Sequence, residues 1–96
     1  MIIRAERKEK FTVVSNAALE DTRLSFRAKG ILVFILSKPD RWQVSERHLA
    51  EQGPDGRSAV ASALTELESA GYLRRTRTRQ PDGTFAWESM IFDEPQ

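Results

Sequence analysis

The hydrophobic period of this chain changes at Gly71. Before it, Val60, Ala63, Leu64 and Leu67 recur at i, i+3, i+4 and i+7, which is one face of an α-helix. After it, Tyr72–Gln80 and Thr84–Phe92 read with a period of two around Pro81-Asp82-Gly83. A helix that must end where a hairpin begins leaves few folds open. Gly71 is placed to do this, as the left-handed residue that follows a helix C-terminus. The helix runs Arg57–Ala70. Upstream, Gly53-Pro54-Asp55-Gly56 breaks a shorter helix that opens at Ser45 and carries Leu49 and Ala50.

Pro81 fits position i+1 of a type I turn, and Gly83 accepts the positive φ that follows it. Closing the hairpin at Gln80–Thr84 pairs Leu73 with Ile91, Arg75 with Ser89, Arg77 with Trp87 and Arg79 with Phe85. Helix, tight turn, helix and hairpin in succession predict a winged helix-turn-helix. Residues 1–10 read as a flexible charged arm, and Phe11–Val14 as a short strand. Asn16–Glu20 reads as about one helical turn. Ser25 caps a helix over Phe26–Ser37, whose run Ile31–Leu36 is apolar nearly all round, so it is expected to be the axis of the core. Gly30 inside that helix suggests a close helix contact. Trp42–Val44 suggests another short strand, and Asp93–Gln96 a frayed acidic tail. The expected class is α+β: a winged helix-turn-helix over residues 11–92, with a three-helix core, a C-terminal β-hairpin wing and a short N-terminal strand.

Ninety-six residues with no cysteine make one small domain without disulfides, zinc fingers or thiol chemistry. The longest apolar run is too short for a membrane span, and the N-terminus lacks a signal-peptide pattern. The chain reads as soluble and cytoplasmic. His48 is the sole histidine, no G-x-S-x-G or phosphate-loop pattern occurs, and Glu66 and Glu68 lie on different helix faces. No catalytic residue, metal site or cofactor is expected.

Fifteen basic and fourteen acidic residues leave a net charge of +1, so any nucleic-acid preference must come from local distribution. The segment Leu73–Arg79 concentrates four arginines and no acid. Alternation places Arg75, Arg77 and Arg79 on one face, about 6.6 Å apart. That spacing suits phosphates, and the guanidinium fork can bind two oxygens. The same arginines could instead stack on Trp87 and Phe85 over a solvated face. With Val60, Leu64 and Leu67 inward, the third helix presents Arg57, Ser58, Ser62 and Thr65 outward, suited to close approach to a groove. Its N-terminal amides near Gly56 and Arg57 add an anion site. Glu66 would repel phosphate if it faced DNA. Trp42 reads as a lid on the core and His48 as a rim residue. Arg4, Arg7, Lys8 and Lys10 form either a DNA-seeking arm or a solubilising tail.

Several stretches carry a resemblance. These are Leu24-Ser25-Phe26-Arg27-Ala28-Lys29-Gly30-Ile31-Leu32, then Leu36-Ser37-Lys38-Pro39-Asp40-Arg41-Trp42, and later Leu49-Ala50, Gly56-Arg57, Val60, Ala63-Leu64, Leu67-Glu68 and Gly71-Tyr72-Leu73. Together they resemble the winged-helix domains of phage replisome organisers and plasmid replication initiators, and short actinobacterial and phage helix-turn-helix regulators. The resemblance implies sequence-specific binding of double-stranded DNA through Arg57–Ala70 and the hairpin, in transcriptional regulation or origin recognition. Many relatives carry a basic residue where Ser62 stands. Replication organisers usually continue into a further domain, so a chain ending at Gln96 is expected to be an isolated domain or a minimal regulator. A homodimer is expected, because one small module buries only roughly 600–1,000 Å² on DNA. The Phe11–Val14 strand and the Ile91–Phe92 end are candidate dimer contacts. The rival reading is a protein-interaction module that uses the wing or the third helix.

Overall fold

The computed structural model describes residues 1–5 and 10–96, so Arg7 and Lys8 of the expected arm lie outside the described residues. Three serines start three helices, because each hydroxyl accepts a first-turn amide that has no partner within the helix. Ser15 accepts from Ala17 N–H at 3.2 Å and opens α1, Asn16–Leu19. Ser25 accepts from Ala28 N–H at 3.1 Å and opens α2, Phe26–Leu36. Ser45 accepts from His48 N–H at 3.3 Å and opens α3, Glu46–Glu51. Helix α4, Arg57–Ala70, follows Gly56 and has no side-chain cap.

Gly71 ends α4 with φ of 90°. Its N–H donates to the Glu68 carbonyl at 3.2 Å, and Tyr72 N–H donates to the Leu67 carbonyl at 2.9 Å. This pair of bonds is a Schellman closure, and it turns the chain directly into β1, Leu73–Arg79. β1 pairs antiparallel with β2, Phe85–Ile91, in the expected register. The loop residue Gly83 has φ of 89°. Asp82 accepts from both the N–H and the hydroxyl of Thr84, at 3.0 and 2.6 Å, and these bonds hold its carboxyl below the ordinary range. Among the described residues the fold is therefore α+β, with four helices and one two-stranded antiparallel hairpin. No helix among them is long and apolar enough to cross a membrane.

The core gathers on α4. Val60, Ala63, Leu64, Leu67 and Ala70 are all buried, against Leu32 and Ile35 of α2, Leu49 of α3, and Tyr72 and Leu73 at the hairpin base. The axis of the core is thus α4 and not α2. Helix α2 buries only Ala28, Leu32 and Ile35, while Phe26 is 88% exposed. An all-round apolar run does not say which side is covered. Packing decides that, and Ile31, Phe34 and Leu36 of the run are only partly buried against the core.

Other local expectations also give way. Neither Phe11–Val14 nor Trp42–Val44 forms a strand, since β-propensity alone supplies no partner edge. The tail is tied down and not frayed. Gln96 N–H donates to the Gly71 carbonyl at 2.9 Å, and Asp93 accepts from Ser15 N–H at 3.1 Å. Ile91 and Phe92 are half-buried, with Ile91 packed on the core. Gly30 makes no close helix contact, because a Cβ there would meet nothing within 4 Å. Gly30→Ala is therefore expected to stabilise the domain by about 1 kcal/mol through helix propensity. In dilute solution that raises the melting midpoint by roughly 4–8 °C. A lower midpoint would reveal a neighbour packed on this position.

Candidate nucleic-acid interface

Helix α4 turns its apolar stripe inward and leaves Arg57, Ser58, Ser62 and Thr65 exposed, as their spacing requires. The Thr65 hydroxyl donates to the Ala61 carbonyl at 3.1 Å, which folds it back along the helix. Ser58, Ser62, Thr65 and Ser69 make the outer ridge small and uncharged. The two acids of α4 flank this ridge, and both are engaged. Glu66 accepts from the N–H and the hydroxyl of Ser25, at 2.8 and 2.9 Å. It thereby places a carboxylate at the positive N-terminal end of α2. Glu68 accepts from Arg75. The acid expected to oppose phosphate thus serves as an anchor between helices.

The alternation of β1 does place Arg75, Arg77 and Arg79 on one face with Ser89, Trp87 and Phe85. The structure then separates them. Arg75 is only 28% exposed, is bound by Glu68, and lies 3.9 Å from Glu46 of α3. It fastens the hairpin to α3 and α4. Arg77 lies over the Phe85 ring at 4.4 Å, which holds the guanidinium outward along the hairpin. Arg79 is exposed at the far end of the strand. Among the described residues neither Arg77 nor Arg79 forms an ion pair, and neither does Arg57. On the opposite face Arg74 lies over Phe92 at 5.4 Å. Of the expected residues, the structure thus leaves Arg57, Ser58, Ser62, Thr65, Arg77 and Arg79 exposed and holds Arg75 between Glu68 and Glu46. Alternation alone could not show this, because Glu46 reaches Arg75 only through the fold.

The α4 N-terminus has no side-chain cap. Asp55, the nearest acid before it, lies 3.4 Å from Arg27 of α2. Trp42 is half-buried against the core, edge-on to Phe34 with centroids 6.1 Å apart, which fits a lid. His48 is exposed and sits at that rim, its ring 5.5 Å from Trp42.

One polar cluster went unread in the sequence. The hydroxyl of the fully buried Tyr72 donates to Asp21 at 2.7 Å. Arg23 binds the same carboxylate at 2.7 Å and also donates to the Ala70 carbonyl at 3.3 Å. The cluster clamps the Asp21–Arg23 connector to the C-terminal end of α4. Arg23, then Tyr72, hold the Asp21 carboxyl well below the carboxylate range, while burial, with Asp21 beside it, pushes the Tyr72 phenol up. A carboxyl depressed on folding adds stability that is complete above its unfolded value of about 3.9. That stability is lost as the pH falls through the depressed value. Asp21→Asn is accordingly expected to flatten the acid limb of the stability curve below about pH 4. Parallel curves for the two proteins in acid denaturant titrations would refute this role.

Against this geometry, the chain matches no known protein-family model, and no curated protein or solved structure shows significant similarity to it.

Proposed function

We propose that this chain is a winged helix-turn-helix module that binds double-stranded DNA. In this reading the outer ridge of α4 enters the major groove, and Ser58, Ser62 and Thr65 approach base edges. Arg57 and the uncapped amides of the first turn take a phosphate. Arg77 and Arg79 reach the backbone or the minor groove from the wing. The observation that carries the reading is the pairing of charges. Both acids of α4 have partners within the molecule, while among the described residues Arg57, Arg77 and Arg79 have no ion pair. The surface left to a ligand is cationic in a chain whose net charge is only +1. The resemblance of the sequence to replication initiators and short regulators points to transcriptional regulation or origin recognition, in a bacterium, a phage or a mobile element.

A second reading rests on a different observation. Phe85 and Trp87, on one face of β2, are 53% and 60% exposed, an apolar wing surface that could dock a protein. Selection from a random duplex pool separates the two readings. DNA recognition predicts enrichment of a defined site, with binding that weakens steeply as salt rises. An unenriched pool and salt-insensitive binding would move the protein-docking reading ahead.

A further inference from the structure

The hairpin face that carries Arg75, Arg77 and Arg79 holds no acid. By pairing and alternation its other members are Leu73, Phe85, Trp87, Ser89 and Ile91. Two successive rungs of this face each join one arginine to one ring, Arg77 opposite Trp87 and Arg79 opposite Phe85. Both rings are more than half exposed. The rungs lie about 6.6 Å apart along the strand, and partners across a rung about 5 Å apart. Among the described residues neither Arg77 nor Arg79 has an ion pair. No ring or cation among them stacks on Trp87. The Arg77 guanidinium lies over Phe85, and a guanidinium plane is itself a surface on which a base stacks.

Trp87 also lines two clefts. One, of about 540 Å³, is bounded by Val44, Arg75 and Ser89, with Glu68 held by Arg75. The other, of about 430 Å³, shares Val44 and Ser89 and runs past Trp42 to Arg41 and Glu88. Both volumes fall within the roughly 300–1,000 Å³ of small-ligand sites. Arg41 has no ion pair among the described residues, and Glu88 belongs to the opposite face of the hairpin, across from Thr76.

A repeat of one cation and one flat ring is the counterpart of a nucleotide's one phosphate and one base. A duplex offers base edges in its grooves and keeps the base planes stacked inside. An acidic peptide supplies the charge without a flat group at each step. We infer that this face of the wing binds single-stranded nucleic acid. Phosphates lie on Arg77 and Arg79, one unpaired base stacks on Trp87, and its neighbour stacks on the Phe85–Arg77 pair. The strand continues along the clefts toward Arg41. Such stacking tolerates any sequence, because every base has a π face. The inference shares Arg77 and Arg79 with the duplex reading but uses no residue of the α4 ridge, so the two can fail separately.

Fluorescence anisotropy of a labelled oligothymidine of about ten nucleotides tests this on the whole chain. Oligothymidine does not pair with itself, so it presents unpaired bases only. Binding is expected, and it should weaken as salt rises. Trp87→Ala is expected to weaken it at least about fivefold, the worth of one stacked base, and to leave duplex affinity as it was. Trp87→Phe keeps a ring and should restore most of the affinity. The strand is also expected to quench the indole emission of the wild type, and Trp87→Phe should remove that quenching although Trp42 remains. Trp87 is exposed, so the conservative variant keeps the fold and the quenching comparison stands even if Trp87→Ala melts early. A wild-type chain that ignores the oligothymidine overturns the inference. So does quenching that persists in Trp87→Phe, or a folded Trp87→Ala that binds the strand as well as the wild type or loses strand and duplex alike. An oligoglutamate of equal charge that competes as well as the oligothymidine also overturns it and leaves the face to an acidic protein. A chain that binds the single strand and no duplex keeps the inference and ends the duplex reading.

Discussion

Leu64→Asp is expected to leave the chain unfolded at 25 °C. Leu64 is fully buried on α4, the helix that packs on α2, α3 and β1. Losing the leucine side chain costs about 2–5 kcal/mol. An unpaired carboxylate in its place adds several more, and no cation lies in the core cluster to receive it. The total stability of a domain this size is about 5–14 kcal/mol, so the sum approaches all of it. Far-UV circular dichroism and thermal melting read the result. Ser62→Asp is the control: it carries the same charge on the same helix but on the exposed face, and it should melt cooperatively. A near-wild-type transition for Leu64→Asp would place the inward face of α4 elsewhere.

The second large effect concerns the wing. Replacing Arg77 and Arg79 together by alanine is expected to weaken binding to every duplex by roughly 100-fold at low salt, at about 1.5 kcal/mol for each charged contact. The slope of log K against log[salt] should shrink by about two, near one unit for each lost phosphate. Fold is not at stake, since both side chains are exposed and Leu73, Ile91 and the Pro81–Gly83 loop hold the hairpin. Arg75→Ala should behave differently. It frees Glu68 and Glu46 and loosens the hairpin from α3 and α4, so it lowers the melting midpoint and moves the salt slope less. Arg74→Ala, on the opposite face, should change the slope little. An unchanged slope for the Arg77 and Arg79 double variant would detach the wing from DNA and favour the protein-docking reading.

The two predictions rest on different layers of information. The inward face of α4 is readable from spacing alone, because a helix has one period and Val60, Ala63, Leu64 and Leu67 share it. The end of α4 and the hairpin register are readable for the same reason. Gly71 and Gly83 adopt backbone angles that few other residues tolerate, and a three-residue loop admits one pairing. The serine caps act within three residues of themselves. All of these are short-range consequences of covalent geometry, sterics and local hydrogen bonding, and they come through a sequence almost intact.

What tertiary structure decided are the partners of charges and the coverage of surfaces. Arg75 shares the alternation and chemistry of Arg77, yet Glu68 and Glu46 claim it. Glu66 is drawn to Ser25, forty-one positions away in sequence, and Asp21 to Tyr72, fifty-one away. The apolar outside of α2 is identical in pattern to its inside, and Phe11–Val14 has the composition of a strand without an edge to join. Coulombic attraction and burial depend on distance in space, and chain separation does not encode that distance. Periodicity therefore established the elements and the inward face of α4, and only packing decided which arginines have an acid beside them.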